Sequence, residues 1–150
     1  MRRICIYIAG LPLAALFLGV FSTFAGEVIV LTQTACQFIE AEGADHHFSS
    51  KSADACRSIN EASQDKRLKQ AQPLRLKAGD YVFRVKNRDV PYELGFWLRG
   101  AGLSRWRLPG VSGGGIATGD VHDYTISLEP GEYRYSCPLN PTPDYVLIVE

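Results

Sequence analysis

The sequence predicts an all-β protein, an antiparallel sandwich or barrel. Three observations carry that prediction. From Pro73 onward, apolar and polar residues alternate with the period of half-buried strands. Glycine and proline turns (Ala78-Gly79-Asp80 and Pro130-Gly131) separate the alternating runs. The one stretch with helical spacing, Ser58 to Ala71, has only Ile59, Ala62, Leu68 and Ala71 as apolar points. Its stripe is too thin for a core helix.

The N-terminus reads as an export signal. Arg2 and Arg3 precede an apolar run from Ile4 to about Val20, and Ser22-Thr23-Phe24-Ala25 offers small residues for cleavage after Ala25. The competing reading is a retained membrane anchor, because the run is nearly long enough to span a bilayer. Cleavage would remove 25 of 150 residues and leave 125, enough for a proper core. Loss of Arg2 and Arg3 takes the 16 basic residues to 14, against 16 acidic ones. A net charge near −2 leaves no footprint for nucleic acid or an anionic membrane, and both are excluded as partners. The mature chain is therefore expected in the periplasm, with no membrane insertion.

Glu27 to Thr34 reads as a first strand with Val28 and Val30 on one face. Cys36 to about Ser58 reads as irregular, and Ser58 to Ala71 as a short surface helix. Leu74 and Leu76, then Tyr81, Phe83 and Val85, then Tyr92, Leu94, Phe96 and Leu98 mark successive strands. Ala101 to Gly119, with Gly113-Gly114-Gly115, reads as a mobile connection. Tyr124, Ile126 and Leu128 form another strand. Tyr133, Tyr135 and Cys137 follow Pro130-Gly131, and Tyr145 to Val149 closes the chain.

Leu76-Lys-Ala-Gly79-Asp-Tyr81-Val-Phe83-Arg-Val85 matches Leu128-Glu-Pro-Gly131-Glu-Tyr133-Arg-Tyr135-Ser-Cys137 position by position. Two strands entered through the same turn chemistry account for the repeat. It places Cys137 on the inward face with Tyr133 and Tyr135.

Removing the signal also removes Cys5, leaving Cys36, Cys56 and Cys137. In an oxidising compartment Cys36 and Cys56, within one polar stretch, are expected to pair. Closing a loop of about 20 residues would contribute roughly 3 kcal/mol by chain-entropy arithmetic. Cys137 is then an odd thiol.

Several of these residues stand in a pattern that resembles the cupredoxins, the Greek-key β-sandwiches that house blue copper. Asn87-Arg-Asp-Val-Pro91-Tyr92 matches the strand end that presents the first histidine, with Tyr92 in its place. Pro130-Gly131 leads to Cys137, the thiolate position, and Asn140 stands three residues on, where the second histidine is common. No methionine follows across Pro141 to Tyr145, and Met1 leaves with the signal. Tyr92 and Asn140 are thus degenerate ligand positions. The resemblance implies an antiparallel Greek-key fold over Pro73 to Glu150, preceded by a short helical or irregular insertion, but no ordinary blue-copper site.

A similar resemblance, to cupredoxin-like domains of bacterial periplasmic iron-uptake proteins, implies that acidic residues could hold copper or iron. Cys137, Glu93 and Asp144 are that candidate set. His46 and His47, near Glu40, Glu42 and Asp45, form a second. Three functions follow as expectations. The first is a non-enzymatic periplasmic binding protein that handles iron or copper, or docks to a periplasmic or membrane metal-transport or redox protein. The second is a metal-free structural or interaction module, with Pro138, Pro141 and Pro143 stiffening its loop. The third is a thiol enzyme with Cys137 as nucleophile and His122 as base.

Overall fold

The computed structural model describes residues 26–150; the predicted signal lies outside them. Two sheets face one another. The first runs in the order β2 (Gln37–Phe38), β1 (Glu27–Thr34), β4 (Gly79–Asn87), β7 (Val121–Leu128). The second runs β3 (Leu74–Leu76), β9 (Tyr145–Val149), β8 (Gly131–Ser136), β5 (Leu94–Gly100), β6 (Val111–Ile116). A short helix α1 (Ile39–Glu42) and a longer one, α2 (Ala53–Gln70), lie between β2 and β3.

The alternation is why these strands form. Tyr81, Phe83 and Val85 of β4, Tyr124, Ile126 and Leu128 of β7, and Tyr133 and Tyr135 of β8 point into one shared core. Phe38, Phe83, Phe96, Tyr124, Tyr135 and Tyr145 meet there with ring centroids 5.2–6.5 Å apart. Each fully buried aromatic or aliphatic side chain contributes roughly 1.5–3 kcal/mol. Val28 and Val30 do share a face, but it is the outer one; Leu31 faces the core.

The internal repeat has a structural cause. Gly79 and Gly131 take φ of 153° and 156°, a region that side chains disfavour. A Cβ on Gly131 would also meet Leu108 Cδ1 at 2.7 Å. Two residues after each glycine, a tyrosine hydroxyl reaches back across the turn. Tyr81 donates to the Lys77 carbonyl and Tyr133 to that of Glu129, both at 2.9 Å. Each bond locks a strand to the segment before it.

The structure corrects four expectations. The sheets are mixed rather than antiparallel: β1 pairs parallel with β4, and β3 with β9. Alternation reports which face is buried and carries no information on strand direction. Secondly, the helix begins at Ala53, five residues before Ser58, because the Ser52 hydroxyl accepts from the Ala55 amide and caps it. It runs 18 residues, and its buried face is Cys56, Asn60 and Arg67. That face is largely polar, which explains the thin apolar stripe. Thirdly, Ala101 to Gly119 is structured: a 3-10 turn at Gly102–Trp106 precedes β6, which pairs with β5 through the glycine run. Finally, Tyr92 lies in the loop before β5, not on the strand.

Candidate functional site

The residues singled out by the copper-loop pattern converge at one end of the sandwich. Asn87 is fully buried at the end of β4 and ties the loop that follows. Its Oδ1 accepts from the Val90 amide at 3.0 Å, and its Nδ2 lies 3.2 Å from the carbonyls of Val90, Tyr92 and Ile116. A carboxamide is needed here because it serves donors and acceptors together. It fixes Tyr92 in place.

Tyr92 donates its hydroxyl hydrogen to Asn140 Oδ1 at 3.1 Å. The Ser50 hydroxyl lies 3.2 Å from the same phenol oxygen. Burial, with a smaller contribution from nearby Cys137, raises the Tyr92 pKa, so the phenol stays neutral. Asn140 is itself fully buried. Its Oδ1 also accepts from the Cys36 amide at 3.0 Å, and its Nδ2 donates to the Thr34 carbonyl at 2.9 Å.

Cys36 and Cys56 form a disulfide. Cys56 Sγ lies 3.1 Å from Asn140 Oδ1 and 3.7 Å from the Tyr92 hydroxyl. A disulfide sulfur has no hydrogen to donate, so its approach to Oδ1 is a packing contact. The sulfur therefore touches both side chains that stand at the histidine positions.

Cys137 is buried just past β8, as the repeat predicts. Its Sγ accepts from the Gly95 amide at 3.3 Å and the Asn140 amide at 3.2 Å. Burial pushes the thiol pKa up, and those amides, with Leu139 and the Gln33 side chain, only partly oppose it. A buried neutral thiol is a poor nucleophile. His122, the candidate base, is half-buried near the start of β7, opposite Val85.

The remaining candidates are held by other partners. Glu93 is exposed and accepts from the Gly115 amide at 2.8 Å. Asp144 receives both of its bonds from Arg99, at 2.8 and 2.7 Å. His46 Nε2 is 2.7 Å from Glu42 Oε2, and His47 projects into solvent with its side chain 87% exposed. Among the described residues, no three of His, Cys, Asp and Glu come together to hold a metal ion. Cys137, Glu93 and Asp144 are thus not brought into one donor group, and neither are His46 and His47 with their acidic neighbours.

Sequence reasoning missed a buried charged cluster beside this end. The side chains of Glu42 and Arg67 are 2% and 4% exposed. Arg67 Nη2 and Nε reach the Glu42 oxygens at 2.6 and 2.9 Å, and Nη2 also donates to the Cys36 carbonyl at 3.0 Å. Arg67 Nη1 donates to Asn60 Oδ1 at 2.6 Å, and the Tyr145 hydroxyl donates to Glu42. Burial raises the Glu42 pKa, but the bonds from Arg67 and Tyr145, the Arg67 charge and His46 outweigh it, leaving the carboxyl below its ordinary range. Only the Asn60-to-Arg67 spacing on one helix face could have hinted at this cluster.

No family model and no curated protein matches this chain. A solved structure of auracyanin B does match, with a TM-score of 0.50 at 13% identity, over 87% of this chain and 93% of that one. The fold is that of a cupredoxin. Auracyanin A, a "blue" copper protein from Chloroflexus aurantiacus, aligns at 13% identity and a TM-score of 0.44, covering 82% of this chain and 98% of that one. A mutant of amicyanin in its reduced state aligns at 19% identity and a TM-score of 0.37, over 52% of this chain and 69% of that one.

This cupredoxin fold does not present a fitting donor set for copper. Cys137 is a lone thiol, the Tyr92 phenol is hydrogen-bonded to Asn140, and the Asn140 carboxamide is engaged at both ends. Cys137 could supply only the thiolate, and Tyr92 and Asn140 offer neither of the two imidazoles that the blue site requires. Among the described residues, no helix is long and apolar enough to cross a membrane.

Proposed function

We propose that the protein is an exported, metal-free cupredoxin-fold module that works by docking to a partner rather than by carrying an electron or an ion. The single observation supporting this is the Tyr92–Asn140–disulfide assembly. It makes the end of the sandwich a closed hydrogen-bonded structure in which both polar atoms of the Asn140 side chain already have protein partners. Opening it for a metal would take from the buried Cys36 amide its acceptor on Asn140, at about 1–3 kcal/mol. The expected location is the periplasm, where the disulfide is stable and partners are other exported or membrane proteins. Glu93 and Asp144 do not favour iron handling, because each is already bonded elsewhere.

The test is direct. Protein purified from the periplasm and titrated with Cu(II) is expected to show no thiolate-to-copper band in the visible region. An intense band that disappears in Cys137→Ser would overturn the proposal. Intact mass of the same sample checks removal of residues 1–25.

A further inference from the structure

The segment linking β5 to β7 carries chemistry that the closed end does not use. From Leu94 to Gly119 it contains Arg99, Arg105 and Arg107, both tryptophans of the chain, and no acidic residue. Trp106 is 79% exposed and Leu103 87%, beside a partly exposed Trp97. Such large apolar exposure marks a recognition surface more often than chance. Trp97, Arg99, Arg105, Trp106 and Val111 line an open groove of about 460 Å³. Past Trp97 and Ser112 it continues into a second hollow of about 330 Å³, floored by Gly95, Gly113 and Leu139.

The charges are distinctive as well. The Arg99 guanidinium sits 3.8 Å from the Trp97 ring centroid and is oriented by Asp144. Arg105 lies 4.9 Å over Trp106. Among the described residues neither Arg105 nor Arg107 forms an ion pair. Residues 26–150 carry a slight acidic excess, so this cationic strip is local.

We propose that this groove docks an acidic segment of a partner protein, one that sets an aromatic side chain among carboxylates. The apolar floor and the indole edges accept the aromatic anchor, and Arg105, exposed on the groove's wall, supplies charge complementarity. Tryptophan and arginine are the residues that most often dominate such interfaces. A sugar polymer fits less well, because Arg99 covers the Trp97 face on which a pyranose would stack.

Both tryptophans border the groove, so tryptophan emission reports on it alone. The mature oxidised protein, kept in EDTA so that the state of the Cys137 end cannot matter, is titrated with a random copolymer of glutamate and tyrosine. A saturable change in emission is expected. Arg105→Glu and Trp106→Ala, both at exposed positions, each weaken binding by about tenfold without moving the thermal midpoint. No saturable change overturns the proposal, as does binding that survives Arg105→Glu. Alginate binding as tightly as the copolymer also overturns it, in favour of a uronate polymer.

Discussion

Asn140 stands where an imidazole would and bonds in opposite directions, to the Cys36 amide through Oδ1 and to the Thr34 carbonyl through Nδ2. Asn140→Ala removes both links inside a dry interior. It is expected to destabilise the protein by about 2–4 kcal/mol, read from urea unfolding. A loss well under 1 kcal/mol would mean that this end is held by something else. Tyr92, Cys137 and Asn140 could be located in the sequence through the resemblance to the cupredoxin pattern, in which Asn87 to Pro91 lead to Tyr92 and Pro130-Gly131 to Cys137. What Asn140 does could not be read there. Its partners Thr34 and Cys36 lie 106 and 104 residues away, and no local pattern encodes them.

Helix α2 shows the same limit one level up. Its Cys56, Asn60 and Arg67 replace the usual apolar stripe with a crosslink and a buried ion pair. Apolar periodicity is blind to such a face, so the pattern starts the helix at Ser58 instead of Ala53 and assigns it to the surface. Arg67→Met strands the Glu42 carboxylate and is expected to cost about 3–5 kcal/mol in chemical denaturation. The pH dependence follows from the lowered Glu42 pKa. A carboxyl depressed in the folded state adds stability above its ordinary pKa, and that stability is lost as pH falls through the depressed value. The thermal midpoint should therefore drop on acidification from about pH 5 to about pH 3, and drop less in Arg67→Met. Equal acid sensitivity in both proteins would remove Glu42 from the account.

For the whole molecule, the two-layer architecture and its inward residues were readable, since period two states which side chains are hidden. Strand direction was not, and neither was β6, whose Gly113-Gly114-Gly115 has no side chains to alternate. The folded protein supplies the reason for part of that run. A Cβ on Gly113 would meet the Tyr124 ring at 2.8 Å, and one on Gly95 would meet the Gly113 carbonyl oxygen at 2.8 Å. The β5–β6 edge is built of glycine where backbone and ring close in. Gly95→Ala pushes on backbone that cannot move aside, so it is expected to cost about 1–3 kcal/mol by thermal unfolding. An unchanged midpoint would show that the edge can give way.

The bond between Cys36 and Cys56 packs on the Tyr92–Asn140 contact, so export as proposed above would tie maturation of this protein to where it is in the cell. A copy retained in the reducing cytoplasm would keep its β-sheets yet lack the clasp that seats α2 against them. We expect proteases to clear that copy faster than the secreted one, which pulse-chase labelling in the two compartments would reveal. The crosslink would then act as a stamp of correct delivery, set only after the chain has crossed the inner membrane.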